Sequence, residues 1–295
     1  MVEINQELVS RLIKDQFPQW ADIPIHPVAK SGNDNRTFHL GCEMSVRLPS
    51  HERYASQVEK ELFWLPRLRP HLSLRIPVPL GKGEPALGYP WPWSVNRWVP
   101  GNTVCPDTVL NLNQLAVDLA GFLKELEAVD CSGGPRAGAH NFFRGGSLWV
   151  YNKETQTALR NLRPLLQVDP LEEIWNLALQ SEWVREPVWV HGDVAPGNLL
   201  EDHGKLCGVI DFGILGVGDP ACDLTMAWTF FDDASRKIFF DSMESDQETR
   251  NRARGWTLWK ALITYDRNDK HSSAAIEGRR IIDVILKEYE KTPLL

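Results

Sequence analysis

Four polar residues stand out by type and spacing: His191, Asp193, Asn198 and Asp211, in the run V-W-V-H-G-D-V-A-P-G-N-L-L-E-D-H-G-K-L-C-G-V-I-D-F-G. A carboxylate such as Asp193 can accept or orient the proton of a hydroxyl group. Asp211 and Asn198 offer an anionic and a neutral oxygen, the donor types that suit a hard cation. Elements must bring them together. Val188–Val190 reads as a short β run that delivers His191 into a loop. Leu199-Leu200, a turn over Glu201–Lys205, and Leu206–Ile210 read as strand, turn, strand. That hairpin sets Asn198 and Asp211 at the ends of two paired strands, so both can face one ion.

The spacing H-G-D-x-x-x-x-N, followed thirteen residues later by D-F-G, resembles the catalytic and metal-binding loops of the protein-kinase fold, H-R-D-x-x-x-x-N and D-F-G. With Gly192 where those enzymes carry Arg, the stretch looks more like the aminoglycoside phosphotransferase and small-molecule kinase family. The resemblance implies Asp193 as the catalytic carboxylate, with His191 shaping its loop through hydrogen bonds, and Asn198 and Asp211 as Mg2+ ligands. Gly218-Asp219-Pro220-Ala221-Cys222-Asp223-Leu224 resembles the family's G-D-P-x-x-D-L segment. Asp219 is expected to cap the helix opening at Pro220, and Asp223 to anchor the catalytic loop.

Upstream, Ser31–Phe38 is a polar turn between two extended segments. The resemblance makes it the loop over the nucleotide phosphates, with Gly32 and Asn35 matching G-x-x-N and Asn33 between them; short side chains let backbone N–H groups approach phosphate. Arg47, in V-R-L-P, stands where the family carries a phosphate-gripping Lys. Arg keeps the charge and can grip in bidentate fashion, but it is bulkier. Its expected partner on the helix Glu52–Leu68 is Glu61, with Glu59 as the rival. The strand through Trp93 and Asn96 that feeds the Pro100-Gly101 break corresponds to the lobe connection, where main-chain groups of Asn96, Arg97 and Trp98 would face the base. Trp91 and Trp93 read as packing residues.

The rest of the chain reads as helices. Helical spacing covers Ile4–Phe17 and Pro106–Ala128, the latter including Val109. Helices are also expected over Glu154–Leu166, Pro170–Val184, Thr225–Phe231, Ser235–Met243, Gln247–Thr264 and Ala274–Tyr289. Arg144, in the loop Asn141–Leu148, either sits near the substrate or pairs with an acid, and the pairing is the more expected of the two. Between Val217 and Arg250 eight acids face three bases, a balance that would suit a cationic acceptor such as an aminoglycoside.

Composition bounds the function classes. The 295 residues carry a net charge of −7 and 43% hydrophobic residues, an ordinary globular balance without the basic stripe of a nucleic-acid binder. The five cysteines are scattered and never spaced C-x-x-C, which implies neither a disulfide framework nor a zinc site. No signal peptide and no span for a membrane is apparent, and a cytoplasmic location is expected.

The resemblance implies an α+β, two-lobed protein-kinase-like fold. A small antiparallel five-stranded N-terminal lobe with a helix would cover residues 1–98. A larger, mostly helical lobe would cover 99–295, with a helical insert at about 103–186. ATP or GTP and Mg2+ would bind between them. The expected activity is O-phosphorylation of a small hydroxylated molecule, an aminoglycoside or macrolide antibiotic being favoured. The alternatives are a metabolic kinase for choline, a sugar or an amino alcohol, and a catalytically idle nucleotide-binding module.

Overall fold

A computed structural model describes residues 3–29, 32, 34–106 and 111–291. The chain has two lobes. The N-terminal lobe opens with helix α1 (Gln6–Gln16), capped by the Asn5 side chain on the Leu8 N–H at 3.0 Å. Its sheet is antiparallel: β1 (Ile25–Pro27), β2 (Asn35–Leu40), β3 (Met44–Pro49), β4 (Val78–Gly83) and β5 (Trp93–Arg97), in the order β1-β2-β3-β5-β4. Alternation along β2 and β5 sends Phe38, Leu40, Trp93 and Val95 into one cluster with Leu8, Val9, Leu12 and Ile13 of α1. Trp93 is fully buried there, with Trp91 against the cluster's edge, and its ring meets Phe17 edge-on at 5.4 Å. Helix α2 (Glu52–Leu68) follows β3. It carries Pro66 in its last turn, and its buried Leu65 and Leu68 pack in the core of the other lobe. Through α2 the two lobes share apolar surface.

The C-terminal lobe is built on helices: α3 (Leu112–Ala128), α4 (Asn152–Leu162), α5 (Asp169–Gln180), α6 (Met226–Thr229), α7 (Asp233–Met243), α8 (Gln247–Arg267) and α9 (Ser273–Lys291). Helices α4 and α5 stop short of their expected ends, and α6 spans only Met226–Thr229 of the expected Thr225–Phe231. Helix α4 stops before Pro164, whose ring cannot continue the helical ladder. Helix α5 stops at Gln180, where the Ser181 hydroxyl turns back onto the Leu177 carbonyl at 2.9 Å. Helix α3 starts at Leu112 behind an Asn111 cap; Val109 lies outside the described residues.

Helix α8 is the centre of this lobe, buried along nearly its whole length despite Arg250, Arg252 and Arg254 near its start. Arg252 is neutralised by Asp219 at 2.7 Å and Arg254 by Glu288 at 3.0 Å. Short strands hold the loops over it: β6 (Asn102–Thr103), β7 (Val188–Val190), β8 (Leu199–Asp202), β9 (Lys205–Val209) and β10 (Gly216–Gly218). The pairings are β6-β8-β9 and β7-β10, all antiparallel. Among the described residues no helix is long and apolar enough to cross a membrane.

Candidate functional site

The loop after β7 is held by one carboxylate. Asp223, 2% exposed, accepts the N–H of His191 at 2.6 Å with one oxygen and that of Gly192 at 2.7 Å with the other. Burial pushes the Asp223 carboxyl up, against the lowering by His191 and these two N–H groups. His191 is fully buried; its Nε2 lies 3.0 Å from the Ile210 carbonyl and its Nδ1 accepts the Asp193 N–H at 3.2 Å. Its ring packs on Phe212 with centroids 4.5 Å apart. These contacts tie the His191 ring to the loop and to the D-F-G turn.

Gly192 explains why this loop does not carry an Arg at that place. Its φ is +85°, and a Cβ there would come within 2.8 Å of the Ile214 carbonyl oxygen. Only glycine fits. Asp193, next in the chain, is exposed. Asn198 donates its amide nitrogen to the Asp193 carbonyl at 2.9 Å and to its carboxylate at 3.1 Å. The amide oxygen is thereby turned away from Asp193.

Strands β8 and β9 pair from Leu199↔Val209, and the Ile210 N–H bonds the Asn198 carbonyl at 2.9 Å. Asn198 and Asp211 so flank the same end of one hairpin. Asp211 sits at φ +66°, an uncommon conformation for a residue with a side chain. Its Oδ1 receives Arg47 from β3 at 2.6 Å, while the other end of the same guanidinium holds Glu61 of α2 at 3.0 and 3.2 Å. Burial works against the Arg47 charge, but Glu61 and Asp211 outweigh it and hold its pKa above the ordinary value. Glu59, the rival partner, pairs with Lys82 instead.

The upstream residues are less uniformly placed. Gly32 is exposed, with open space where a Cβ would stand, and its carbonyl accepts Arg36 at 2.9 Å. Asn33 lies outside the described residues. Asn35 is buried at the start of β2, opposite Pro49. Asp34, which sequence reasoning passed over, enters the cleft beside Gln57 and Asp211; burial raises its pKa, opposed by Tyr54. Asn96 and Arg97 are in register with β3 on one side and β4 on the other. The Asn96 side chain is buried on the Ser94 hydroxyl at 2.9 Å. The Trp98 N–H, expected to face the base, is bonded to the Glu43 carbonyl at 2.7 Å.

Two cavities meet at Asp193. The larger, of about 640 Å³, also reaches Asp34, Gln57, Asp211 and Gly213. The smaller, of about 360 Å³, lies between the loop after β7 and helices α8 and α9, against Thr225, Trp256, Thr257, Lys260 and Ile281. Arg144 and Lys260 line both. Among the described residues Arg144 forms no ion pair with an acid, the more expected of its two roles: its Nε donates to the Gly192 carbonyl at 3.0 Å, and its guanidinium lies 4.9 Å from the ring of Trp256. Trp256, Trp259 and Lys260 are spaced i, i+3 and i+4 on α8, a one-sided signal legible in the sequence.

The acidic run between Val217 and Arg250 does not form the wall of either cavity. Asp219 holds Arg252, Asp223 holds the loop, and Asp232 and Asp246 cap α7 and α8. Asp233, Asp241 and Glu244 pair with Lys291, Lys237 and Lys124. Local capping and pairing absorb charges that the sequence displays as a block.

Among the described residues no group of three or more His, Cys, Asp or Glu could hold a metal ion. One carboxylate and one amide oxygen suit a cation that takes its remaining ligands from phosphate and water, as Mg2+ does.

Residues 26–260 match the phosphotransferase enzyme family, APH. The chain belongs to that family. It is 31% identical over 87 residues to an aminoglycoside 3'-phosphotransferase of Escherichia coli, a match that covers 28% of this chain and 32% of that enzyme. Among solved structures it resembles the GDP complex of wild-type aminoglycoside 2'-phosphotransferase-IIIa, with a TM-score of 0.71 and 18% identity over 97% of this chain and 100% of that one. It also resembles the streptomycin–ATP–APH(2″)-IIa ternary complex, with a TM-score of 0.62 and 20% identity over 97% of each chain. At such identities the structural likeness concerns the fold.

Proposed function

We propose that this chain is a nucleotide- and Mg2+-dependent O-phosphotransferase that acts on a hydroxyl of a small molecule. The observation that carries this reading is the position of Asp193, exposed where two cavities meet. One of them contains Asp211 and the other is walled by the C-terminal helices. In this reading the nucleotide enters the first and the acceptor the second. The acceptor oxygen forms a bond to the terminal phosphorus, and the bond from that phosphorus to the bridging oxygen breaks, releasing a nucleoside diphosphate. The hydroxyl proton passes to Asp193 and then to water.

The lobe of residues 1–98 would supply Gly32, Asn33 and Asn35 to the phosphates, with Arg47 fixed by Glu61 as the cationic grip. The lobe of residues 99–295 would supply the loop. Asn198 and Asp211 would hold Mg2+, which when bound neutralises phosphate charge. To read a base edge, the Trp98 N–H would have to leave the Glu43 carbonyl. ATP and GTP both remain candidates, since related structures carry either ATP or GDP. The relatives' names make an aminoglycoside the first acceptor to try. No disulfide joins cysteines among the described residues, which supports a reducing, cytoplasmic setting.

The test is diphosphate release from ATP and from GTP over a panel of aminoglycosides, macrolides, sugars and amino alcohols, with and without Mg2+. Release should need Mg2+ and should fall by about a hundredfold or more in Asp193→Ala. An Asp193→Ala protein as active as the wild type would sink the mechanism. Nucleotide binding without turnover of any acceptor would instead favour an idle binding module.

A further inference from the structure

We infer that Gln57 of α2 is a positioning residue of the nucleotide site: its amide ties Asp34, where the loop before β2 enters the cleft, to Gly213 of the D-F-G turn. This rests on the phosphotransferase reading for what the cleft binds, and adds what keeps the two sides of that cleft in register.

Helix α2 buries a row of polar side chains. Tyr54, Gln57 and Glu61 are spaced i, i+3 and i+7, which puts them on one face of a helix, and all three are buried. Such a row is unfavourable unless its members find partners, and the partners come from different parts of the cleft. Glu61 holds Arg47, and through it Asp211. The Tyr54 hydroxyl accepts the Arg53 guanidinium at 2.5 Å and donates to the Asp34 carboxylate. Gln57 Nε2 lies 3.5 Å from Asp34 Oδ2, the outer limit of a hydrogen bond. The Asp34 backbone is fixed independently, since its carbonyl accepts the Ser50 N–H at 2.8 Å.

The second contact of Gln57 accounts for a glycine. A Cβ on Gly213 would stand 2.6 Å from Gln57 Oε1 and 2.8 Å from its Cδ, and the three atoms nearest that Cβ all belong to Gln57. Gly213 does not have a positive φ, so its backbone would accept alanine, and the Gln57 amide is what stands in the way. The amide is thus held by packing on Gly213 and by one long contact to Asp34. A link of that kind breaks when either side moves by a few tenths of an ångström, because hydrogen bonds weaken steeply beyond this length. Asp34, Gln57, Asp211 and Gly213 all line the larger cavity. A displacement at Asp34 is therefore passed through one buried side chain to the turn that carries Asp211.

The experiment titrates ATP and GTP, with Mg2+, calorimetrically into the full chain and its variants. Gln57→Glu sets a second carboxylate against Asp34 and should weaken nucleotide binding by about tenfold, raising the nucleotide KM far more than it lowers kcat. Adding Asp34→Asn supplies an amide donor in the reverse sense and should recover most of that loss, beyond the effect of Asp34→Asn alone. Gly213→Ala should unfold at a lower urea concentration than the wild type. Combining it with Gln57→Ala makes room and should restore stability while nucleotide binding stays weak, which separates packing from the link. Without nucleotide, hydrogen exchange in the peptide holding Gly213 should rise in Gln57→Glu and fall back in the variant that also carries Asp34→Asn. The inference is overturned if Gln57→Glu binds nucleotide as the wild type does. It is equally overturned if the Gln57→Glu and Asp34→Asn effects simply add, or if Gly213→Ala with Gln57→Ala binds as tightly as the wild type. The exchange pattern without binding of any nucleotide would leave the link standing and count against the phosphotransferase reading alone.

Discussion

Arg47 reaches across the cleft to Asp211 at 2.6 Å, and with the far side of the same guanidinium it holds Glu61 at 3.0 Å. A single planar cation joins the third strand, the helix after it and the D-F-G turn. A lysine ammonium in that position would be a point charge without the fork. Arg47→Lys should therefore leave one acid without a partner and lower kcat/KM by about tenfold or more, which initial-rate kinetics would show. Arg47→Ala strands a buried Glu61 and should cost about 3–5 kcal/mol in urea unfolding. An alanine variant as stable as the wild type would deny the bridge its structural role.

Gly192 takes the place of the arginine of protein kinases because backbone, not side chain, occupies that space. Its φ of +85° and the 2.8 Å approach to the Ile214 carbonyl leave no room for a Cβ. Gly192→Ala should cost roughly 1–3 kcal/mol in thermal or urea unfolding. Gly192→Arg should lose more and lose activity with it. A functional Gly192→Arg enzyme would mean that the loop adopts another path.

Asp223 holds two backbone N–H groups with two oxygens. Asp223→Asn can satisfy only one of them, since its amide nitrogen is a donor. We expect a loss of about 1–3 kcal/mol and a drop in kcat with nucleotide affinity little changed. Asp223→Ala should do worse on both counts. Equal kcat in wild type and Asp223→Asn would show that the loop does not need this anchor.

Glu127 on α3 gives a pH signature. Burial, and then the Asp223 charge, raise its pKa from 4.5 to about 7 in the folded chain. A raised carboxyl favours the fold while protonated, so its contribution is complete below pH 4.5 and is lost as pH rises to about 7. Glu127→Gln has nothing to lose across that window. Relative to wild type the variant should gain stability from pH 4.5 to 7 and hold the gain above, by about 1–2 kcal/mol after allowance for solvent screening. A stability difference that does not change with pH would mean that Glu127 titrates normally.

Much of this molecule is local and therefore legible in the sequence. The hairpin that sets Asn198 beside Asp211 follows from two apolar runs and a turn, and the cap at Asp219 from a short polar side chain before Pro220. Glycine at 192 signals a loop that differs from the kinase pattern, and the Glu52–Leu68 helix offers only two acids as partners for Arg47. What spacing leaves open is partnership across the chain. Arg144 and an acid looked like a pair, yet its guanidinium rests on tryptophans more than a hundred residues away. The acidic run after Val217 looked like a wall, yet its members cap helices and neutralise lysines and arginines. Helix α8, charged near its start, became the centre of its lobe because Asp219 and Glu288 arrive from elsewhere to pair with its arginines. The sequence by itself determined the chemistry, since proton transfer and cation binding need particular atoms at close spacing. Only the tertiary structure decided which charges line the cavities, because a charge is exposed or cancelled by what folds against it.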